Sequence, residues 1–98
     1  MNIIWSPTAR TKIREILEYV AEDNPDAALR LIDQFEVKVE NLKENPKTGR
    51  VVPELRDENI RELVVHKHYG IIYELSSGTI EILTVRHFRQ SFSSSTFK

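Results

Sequence analysis

The fold of this chain is decided by residues 60–89, which read IRELVVHKHYGIIYELSSGTIEILTVRHFR. The stretch divides into three runs, residues 60–66, 69–75 and 79–86. All three are rich in the β-branched and aromatic residues that favour strands. Two residues separate the first pair of runs and three separate the second, so both links are short enough for hairpins. The stretch therefore predicts an antiparallel meander of three strands.

The composition of the whole chain is that of an ordinary globular domain. It has 98 residues, of which 40% are hydrophobic and 30% are charged, and this length suits one hydrophobic core. We expect a single domain over residues 1–98, with a flexible tail of serine, threonine and phenylalanine at about residues 88–98. The chain has no cysteine, which excludes disulfides and thiolate metal sites.

Charge and hydropathy exclude several classes of protein. No apolar run approaches the roughly 20 residues of a membrane-spanning helix, and the N-terminus does not resemble a signal peptide. A cytoplasmic location without membrane association is therefore expected. The formal net charge is −1, whereas nucleic-acid-binding domains are usually strongly basic. We accordingly expect no direct sequence-specific binding of nucleic acid.

The N-terminal half predicts one short strand and two amphipathic helices. Residues 2–5 are apolar enough for an edge or inner strand. Ser6–Pro7 and Asn24–Pro25 each place a capping side chain before a proline, which is typical of a helix start. Apolar residues recur at helical spacing after each start, and the second helix is predicted to run to about Glu44. Helices joined so tightly form an antiparallel hairpin that must pack on the sheet.

The elements in order predict an α+β fold of the form β-α-α-β-β-β. A helical hairpin packs on a small, mainly antiparallel sheet in this prediction. Residues 50–59 are the part least readable from sequence, and within them residues 51–53 fit a short edge strand. Which face of the sheet the helices cover is left open, because it depends on strand register.

The basic residues at the end of the last predicted strand are the strongest candidates for chemistry. An imidazole flanked by guanidinium groups, as in residues 86–89 (RHFR), suits proton transfer on a phosphodiester. The alternative is a solvated strand end, which spacing alone favours. His66 and His68 supply two imidazoles without a third ligand, so no metal or other cofactor is expected. Glu54 is a weak candidate for a general base.

From about Ile4 to Arg89 the chain resembles the RelE/ParE toxin superfamily. The resemblance rests on six segments in order: residues 5–9 (WSPTA), 23–28 (DNPDAA), 46–50 (PKTGR), 60–62 (IRE), 69–73 (YGIIY) and 82–87 (ILTVRH). It implies the β-α-α-β-β-β fold predicted above. It also implies the toxin half of a type II toxin–antitoxin pair, neutralised by a small antitoxin wrapped around it.

The resemblance implies one of two activities. RelE-like and YoeB-like members are ribosome-dependent mRNA endonucleases, whereas ParE-like members poison DNA gyrase and have no known nuclease site. The nucleases usually carry an arginine directly after the position of Tyr69, where this chain has Gly70. They also tend to be strongly basic. Both departures favour the ParE-like branch, as does the Asp-Asn-Pro junction between the predicted helices.

On the ParE-like interpretation no residue is catalytic. The surface that contacts gyrase is then expected at Arg86, His87, Arg89, Phe92 and Phe97. A ParD-like antitoxin is expected to add a helix in a groove and an extended segment to the sheet, with contacts at Leu29, Val37, Arg50, Arg61 and Tyr69.

Two alternatives remain at this point. As an mRNA interferase, the chain would use His87, Arg86, Arg61, Arg89 and Glu54. As an inactive member, it would keep the toxin fold and only the interface with its partner.

Overall fold

The structure, a computed structural model, describes residues 1–88 of the chain. Five strands and two α-helices follow one another along it: β1 Asn2–Trp5, α1 Pro7–Asp23, α2 Pro25–Asn41, β2 Arg50–Val51, β3 Ile60–His66, β4 Tyr69–Ser76 and β5 Thr79–His87. One turn of 3-10 helix, Pro53–Leu55, separates β2 from β3. The predicted α+β fold, with its helical hairpin and its three-stranded meander, is confirmed.

The strands form one sheet in the order β1-β5-β4-β3-β2. β3, β4 and β5 are antiparallel neighbours, as the sequence predicts, while β1 runs parallel to β5 at one edge. The edge strand predicted at residues 51–53 lies slightly earlier, at Arg50–Val51, and pairs antiparallel with β3. The strand ends there because Pro53 has no N–H to contribute and begins the 3-10 helix instead.

Both helices begin at the predicted caps. Ser6 Oγ accepts a hydrogen bond from the amide of Ala9 at 3.0 Å, and Asn24 Oδ1 accepts one from the amide of Ala27 at 3.1 Å. The Ser6 hydroxyl also donates to the carbonyl of Leu83 at 2.8 Å, which attaches the start of α1 to β5. Within residues 1–88 no helix has the length and apolar character needed to span a membrane.

The second helix is shorter than predicted. It ends at Asn41 rather than at Glu44, and residues 42–44 continue as turns whose amides bond to carbonyls three residues back. Asn45 precedes Pro46, and the residue before a proline avoids the helical conformation. The final turn therefore tightens before the chain leaves the helix.

The helical hairpin covers one face of the sheet, which we call the helix face. Its core combines α2 residues with sheet residues: Leu31, Phe35, Val39, Leu63, Ile71, Tyr73, Ile80, Ile82 and Val85 are all buried there. The other face, called the open face, carries a smaller cluster of Val52, Ile60, Ile72 and Leu83 under Leu55. The structure thus settles the face that the sequence left undecided.

Tyr73 attaches the loop before β2 to the centre of the sheet. Its side chain is fully buried. The hydroxyl donates to the carbonyl of Pro46 at 2.8 Å and accepts from the amide of Gly49 at 2.9 Å. Burial raises the pKa of the Tyr73 phenol, so the hydroxyl stays protonated at neutral pH. Residue 49 must be glycine, because a Cβ there would lie 2.7 Å from this oxygen.

Replacing Tyr73 by phenylalanine is expected to lower the free energy of unfolding by about 1–3 kcal/mol. The change leaves the Gly49 amide and the Pro46 carbonyl without their partner in a buried place. Urea denaturation of the full chain measures the effect. Tyr19→Phe is the matched control, because Tyr19 is 70% exposed and should change stability by less than about 0.5 kcal/mol. Equal losses in the two variants would contradict this role of Tyr73.

Candidate functional site

A buried carboxylate on the open face holds two arginines. Glu62, in β3, is 3% exposed. Its Oε1 accepts from Nη2 and Nε of Arg50 at 2.7 and 3.2 Å, and its Oε2 accepts from Nε of Arg86. Arg50 lies directly opposite Glu62 on β2. Glu62 therefore links the edge strand β2 to β5 across the sheet.

Arg86 has to cross β4 to reach this carboxylate. In the register of the sheet, Arg86 lies opposite Gly70 on β4, and Gly70 lies opposite Val64 on β3. A side chain at position 70 would stand in this path on the open face. The glycine leaves the path clear. The Arg86 side chain lies along this path and is only 13% exposed.

Phe88 fills the remaining space beside Gly70. A Cβ on Gly70 would lie 2.9 Å from Cε1 of the Phe88 ring and 3.0 Å from the carbonyl oxygen of Leu63. The guanidinium carbon of Arg86 lies 5.3 Å from the centroid of the same ring, which is a cation–π distance. Phe88, the first residue of the predicted tail, thus packs against Gly70, where the resemblance implies an arginine in a nuclease.

His87 lies on the helix face, opposite to its neighbour Arg86. Its ring makes an edge-on contact with Tyr69, with centroids 5.1 Å apart, and stacks on His68 at 5.7 Å. Successive side chains of a strand point to opposite faces. The structure therefore does not bring the imidazole and the Arg86 guanidinium to one site. Arg89, the other guanidinium of the predicted cluster, lies outside the described residues.

Arg61 stabilises the loop before β2 through hydrogen bonds. Its Nη1 donates to the carbonyl of Gly49 at 2.9 Å and to that of Lys47 at 3.3 Å. It pairs in register with Tyr73, whose side chain is on the helix face. Its Nε is buried and has no hydrogen-bond partner within residues 1–88. Arg61 is therefore separated from the Glu62 group on the opposite face.

The other predicted residues are dispersed. Glu54 is exposed on the 3-10 helix, and its side chain takes part in none of the hydrogen bonds or ion pairs within residues 1–88. Leu29 and Val37 are 62% and 61% exposed on α2, as expected for positions off its apolar stripe. Phe92 and Phe97, with the rest of the predicted tail after Phe88, lie outside the described residues. Residues 1–88 contain no cluster of three His, Asp or Glu side chains able to hold a metal ion.

The helical hairpin carries an apolar groove of about 560 Å³. Leu29, Ala21 and Ile32 line it together with Ile13 and Leu17. Both helices line the groove along its length, because they lie side by side in an antiparallel hairpin. The groove is wide and shallow enough to take the apolar side chains of another helix.

The outer edge of β1 is unpaired in the described part of the chain. The amide of Asn2 donates to the carbonyl of Gly78, just before β5, and the amide of Ser6 donates to that of Ile82 in β5, so alternate residues of the strand face β5. The backbone groups of Ile3 and Trp5 between them point to the free edge. A cavity of about 820 Å³ lies beside this edge against α2. The free edge of β1 can therefore pair with a further strand, which would lie in this cavity.

Residues 3–92 match the model of a protein family described as the ParE toxin of the type II toxin–antitoxin system parDE. The chain belongs to this family. Y4kP, a toxin candidate of Sinorhizobium fredii, is 37% identical over 91 residues, which cover 93% of this chain and 92% of the relative. Toxin RelE2 of Caulobacter vibrioides is 31% identical over 86 residues, or 88% of this chain and 93% of that toxin.

Two solved structures share the fold of this ParE-family chain. A chain of the chromosomal ParDE toxin–antitoxin system from P. aeruginosa aligns with a TM-score of 0.71 and 20% identity, over 89% of this chain and 95% of that one. The YoeB/ParE toxin from Agrobacterium tumefaciens aligns with a TM-score of 0.61 and 12% identity, over 89% and 98%. The predicted membership of the RelE/ParE superfamily is confirmed.

Sequence reasoning missed the role of Glu62. The available signal is its position between Ile60 and Val64, which share its face by alternation and make a solvated glutamate unexpected there. A buried carboxylate requires cationic partners. Arg50 and Arg86 lie 12 and 24 residues away in sequence, so only the strand order could have identified them.

Replacing Glu62 by glutamine is expected to destabilise the fold by roughly 3 kcal/mol. The amide is neutral, so the largely buried guanidinium of Arg86 loses the charge that compensates it. Chemical denaturation measures the loss. Glu58→Gln is the control, since Glu58 is exposed in the loop after the 3-10 helix and should be nearly neutral. A glutamine variant as stable as the control would show that the charge of Glu62 is not needed.

Proposed function

We propose that this ParE-family toxin acts by binding DNA gyrase and trapping the cleaved gyrase–DNA complex, without cleaving RNA itself. The observation that carries the proposal is the packing of Phe88 beside Gly70, with the charge of Arg86 compensated by Glu62. A nuclease of this fold needs an uncompensated cation there to stabilise the phosphate of its transition state.

The remaining candidates for nuclease chemistry support the same conclusion. Phosphodiester cleavage requires a proton-transfer group and cations within reach of one phosphate. Here His87 is on the helix face, Arg61 is engaged by loop carbonyls, and Arg86 is on the open face. A toxin that works by binding needs no such convergence.

The second candidate function is an mRNA interferase. The name of one relative, toxin RelE2, favours it. In that case the catalytic groups would have to assemble around His87 or Glu54 only when the target is bound. The two functions differ in which nucleic acid is damaged in the cell, so one experiment distinguishes them.

Induction of the chain alone in a bacterial host is expected to produce stalled gyrase–DNA complexes and an SOS response. Transcripts on ribosomes should stay intact in the same cells, because the nuclease groups do not converge. Trapped complexes are measured by gyrase immunoprecipitation after lysis in detergent, and transcripts by primer extension. Cleaved transcripts with undamaged DNA would establish the interferase instead.

The Glu54→Gln variant serves as an internal control for this experiment. Glu54 is exposed and outside the hydrogen bonds and ion pairs of residues 1–88, so its only assigned role is that of a nuclease base. A gyrase poison should therefore keep full toxicity in this variant. An interferase that uses Glu54 would lose it.

We further infer that a ParD-like antitoxin neutralises the toxin by covering the helical hairpin and the edge of β1. The apolar groove at Leu29 fits an amphipathic helix, and the unpaired backbone of Ile3 and Trp5 fits an added strand. The hairpin is acidic, because residues 7–41 carry eight acidic and five basic residues. The antitoxin segment that covers it should therefore carry lysine or arginine beside its apolar residues.

Leu29→Glu is expected to weaken binding of the cognate antitoxin by at least about tenfold, because it places a charge in the apolar groove. Stability should change little, since the side chain is 62% exposed. Calorimetric titration with the purified antitoxin measures the effect. Val64→Glu is the matched control: Val64 is 53% exposed but lies on the open face. Unchanged affinity for Leu29→Glu would place the antitoxin elsewhere.

A further inference from the structure

A separate pocket opens between α1 and the end of the sheet. Its volume is about 410 Å³. From α1 it is lined by Lys12, Glu15 and Tyr19, and from the sheet by Tyr69, Val85 and His87. The α1 residues are three and four positions apart, so they share one face of that helix. The pocket lies on the helix face, away from the hairpin groove and from Glu62.

Three aromatic rings form the walls of this pocket. Tyr69 and His87 meet at an interplanar angle of 89°, with centroids 5.1 Å apart, and so form a right-angled corner. Tyr19 on α1 is 70% exposed, and none of the ring contacts within residues 1–88 involves it. A flat heteroaromatic ring can stack on one wall of the corner while its edge meets the other.

The rim of the pocket carries one positive and one negative group. None of the ion pairs or hydrogen bonds within residues 1–88 uses the ammonium of Lys12 or the carboxylate of Glu15. An ammonium beside an aromatic wall suits a phosphate. A carboxylate accepts hydrogen bonds from ring N–H and amino groups.

We propose that this pocket binds a purine nucleotide. The base stacks between Tyr19 and the corner of Tyr69 and His87, its N–H donors bond to Glu15, and its phosphate lies at Lys12. On the edge that faces Glu15, guanine has two adjacent N–H donors, one for each carboxylate oxygen. Adenine has only its amino group on the corresponding edge. The pocket therefore prefers guanine.

This site goes beyond the proposed action on gyrase and does not depend on it. The same chemistry, a stacked base with its phosphate, occurs in a free nucleotide and in an unpaired nucleic-acid strand. The two sources are distinguished by the test below. Both use the pocket without reading an extended sequence.

The test is an NMR titration of the isotopically labelled full chain with GMP, AMP and ribose 5-phosphate. GMP should shift the backbone amides of residues 12–19, Tyr69 and His87, and AMP should do so more weakly. Ribose 5-phosphate should have little effect, because it lacks the base. An equal response to ribose 5-phosphate, or shifts from GMP that are absent from these residues, would overturn the proposal.

Variants connect the shifts to the pocket. Tyr19→Ala and Lys12→Ala should each raise the dissociation constant for GMP by roughly 5- to 100-fold, while Tyr19→Phe, which keeps the ring, should bind normally. Lys38→Ala, an exposed lysine on α2, is the matched control. Unchanged affinity in Tyr19→Ala would overturn the proposal, since an exposed tyrosine can be removed without unfolding the chain.

A short guanine-containing single-stranded DNA identifies the source of the ligand. If it displaces GMP and binds more tightly, the pocket serves an unpaired strand. If it fails to compete while GMP binds, the ligand is a free nucleotide. The titration uses no gyrase, so its failure would leave the proposed target unaffected, and failure of the gyrase experiment would leave this site standing.

Discussion

The ion pairs of Glu62 with Arg50 and Arg86 are the interaction on which the open face of the sheet depends. A carboxylate in the middle of a sheet cannot be buried alone, since the loss of its hydration costs several kcal/mol. It is tolerated because two guanidiniums reach it from opposite sides. In doing so it holds the two-residue strand β2, which has few backbone pairs of its own. It also holds Arg86 across β4. The ring of Phe88 packs against the Arg86 guanidinium and against Gly70.

The same interaction decides how the basic residues of this chain should be understood. A guanidinium can stabilise a phosphate only if its charge is not already compensated. The charge of Arg86 is compensated by the carboxylate of Glu62, and the guanidinium of Arg61 donates hydrogen bonds to loop carbonyls. Arg61 and Arg86, which suggest a nuclease in the sequence, therefore have structural partners in the fold.

The helices and the meander were predictable because their signals are local. Each helix start combines a capping side chain with a proline, and each hairpin has a short link between β-rich runs. The faces of the strands were not predictable in the same way. The pairing of β4 with β5 shifts register near Tyr73, so Ile82 and Val85 both face the helices although strict alternation would separate them. The parallel pairing of β1 and the partners of Glu62 likewise depend on contacts distant in sequence.

Charge divides the surface of the molecule into regions that suit different partners. The eight acidic residues of the hairpin are all exposed, and their field opposes the approach of a phosphate backbone along α2, where they outnumber the basic residues. Basic and imidazole groups instead collect where the β3–β4 turn meets the helices. One pocket there is lined by Arg30, His66 and His68. Tyr69 lines both this pocket and the pocket of Lys12 and His87. A basic antitoxin and an anionic ligand would therefore be drawn to different parts of the toxin. Because both contact the same helical hairpin, an antitoxin long enough to reach Tyr19 would also close the nucleotide pocket.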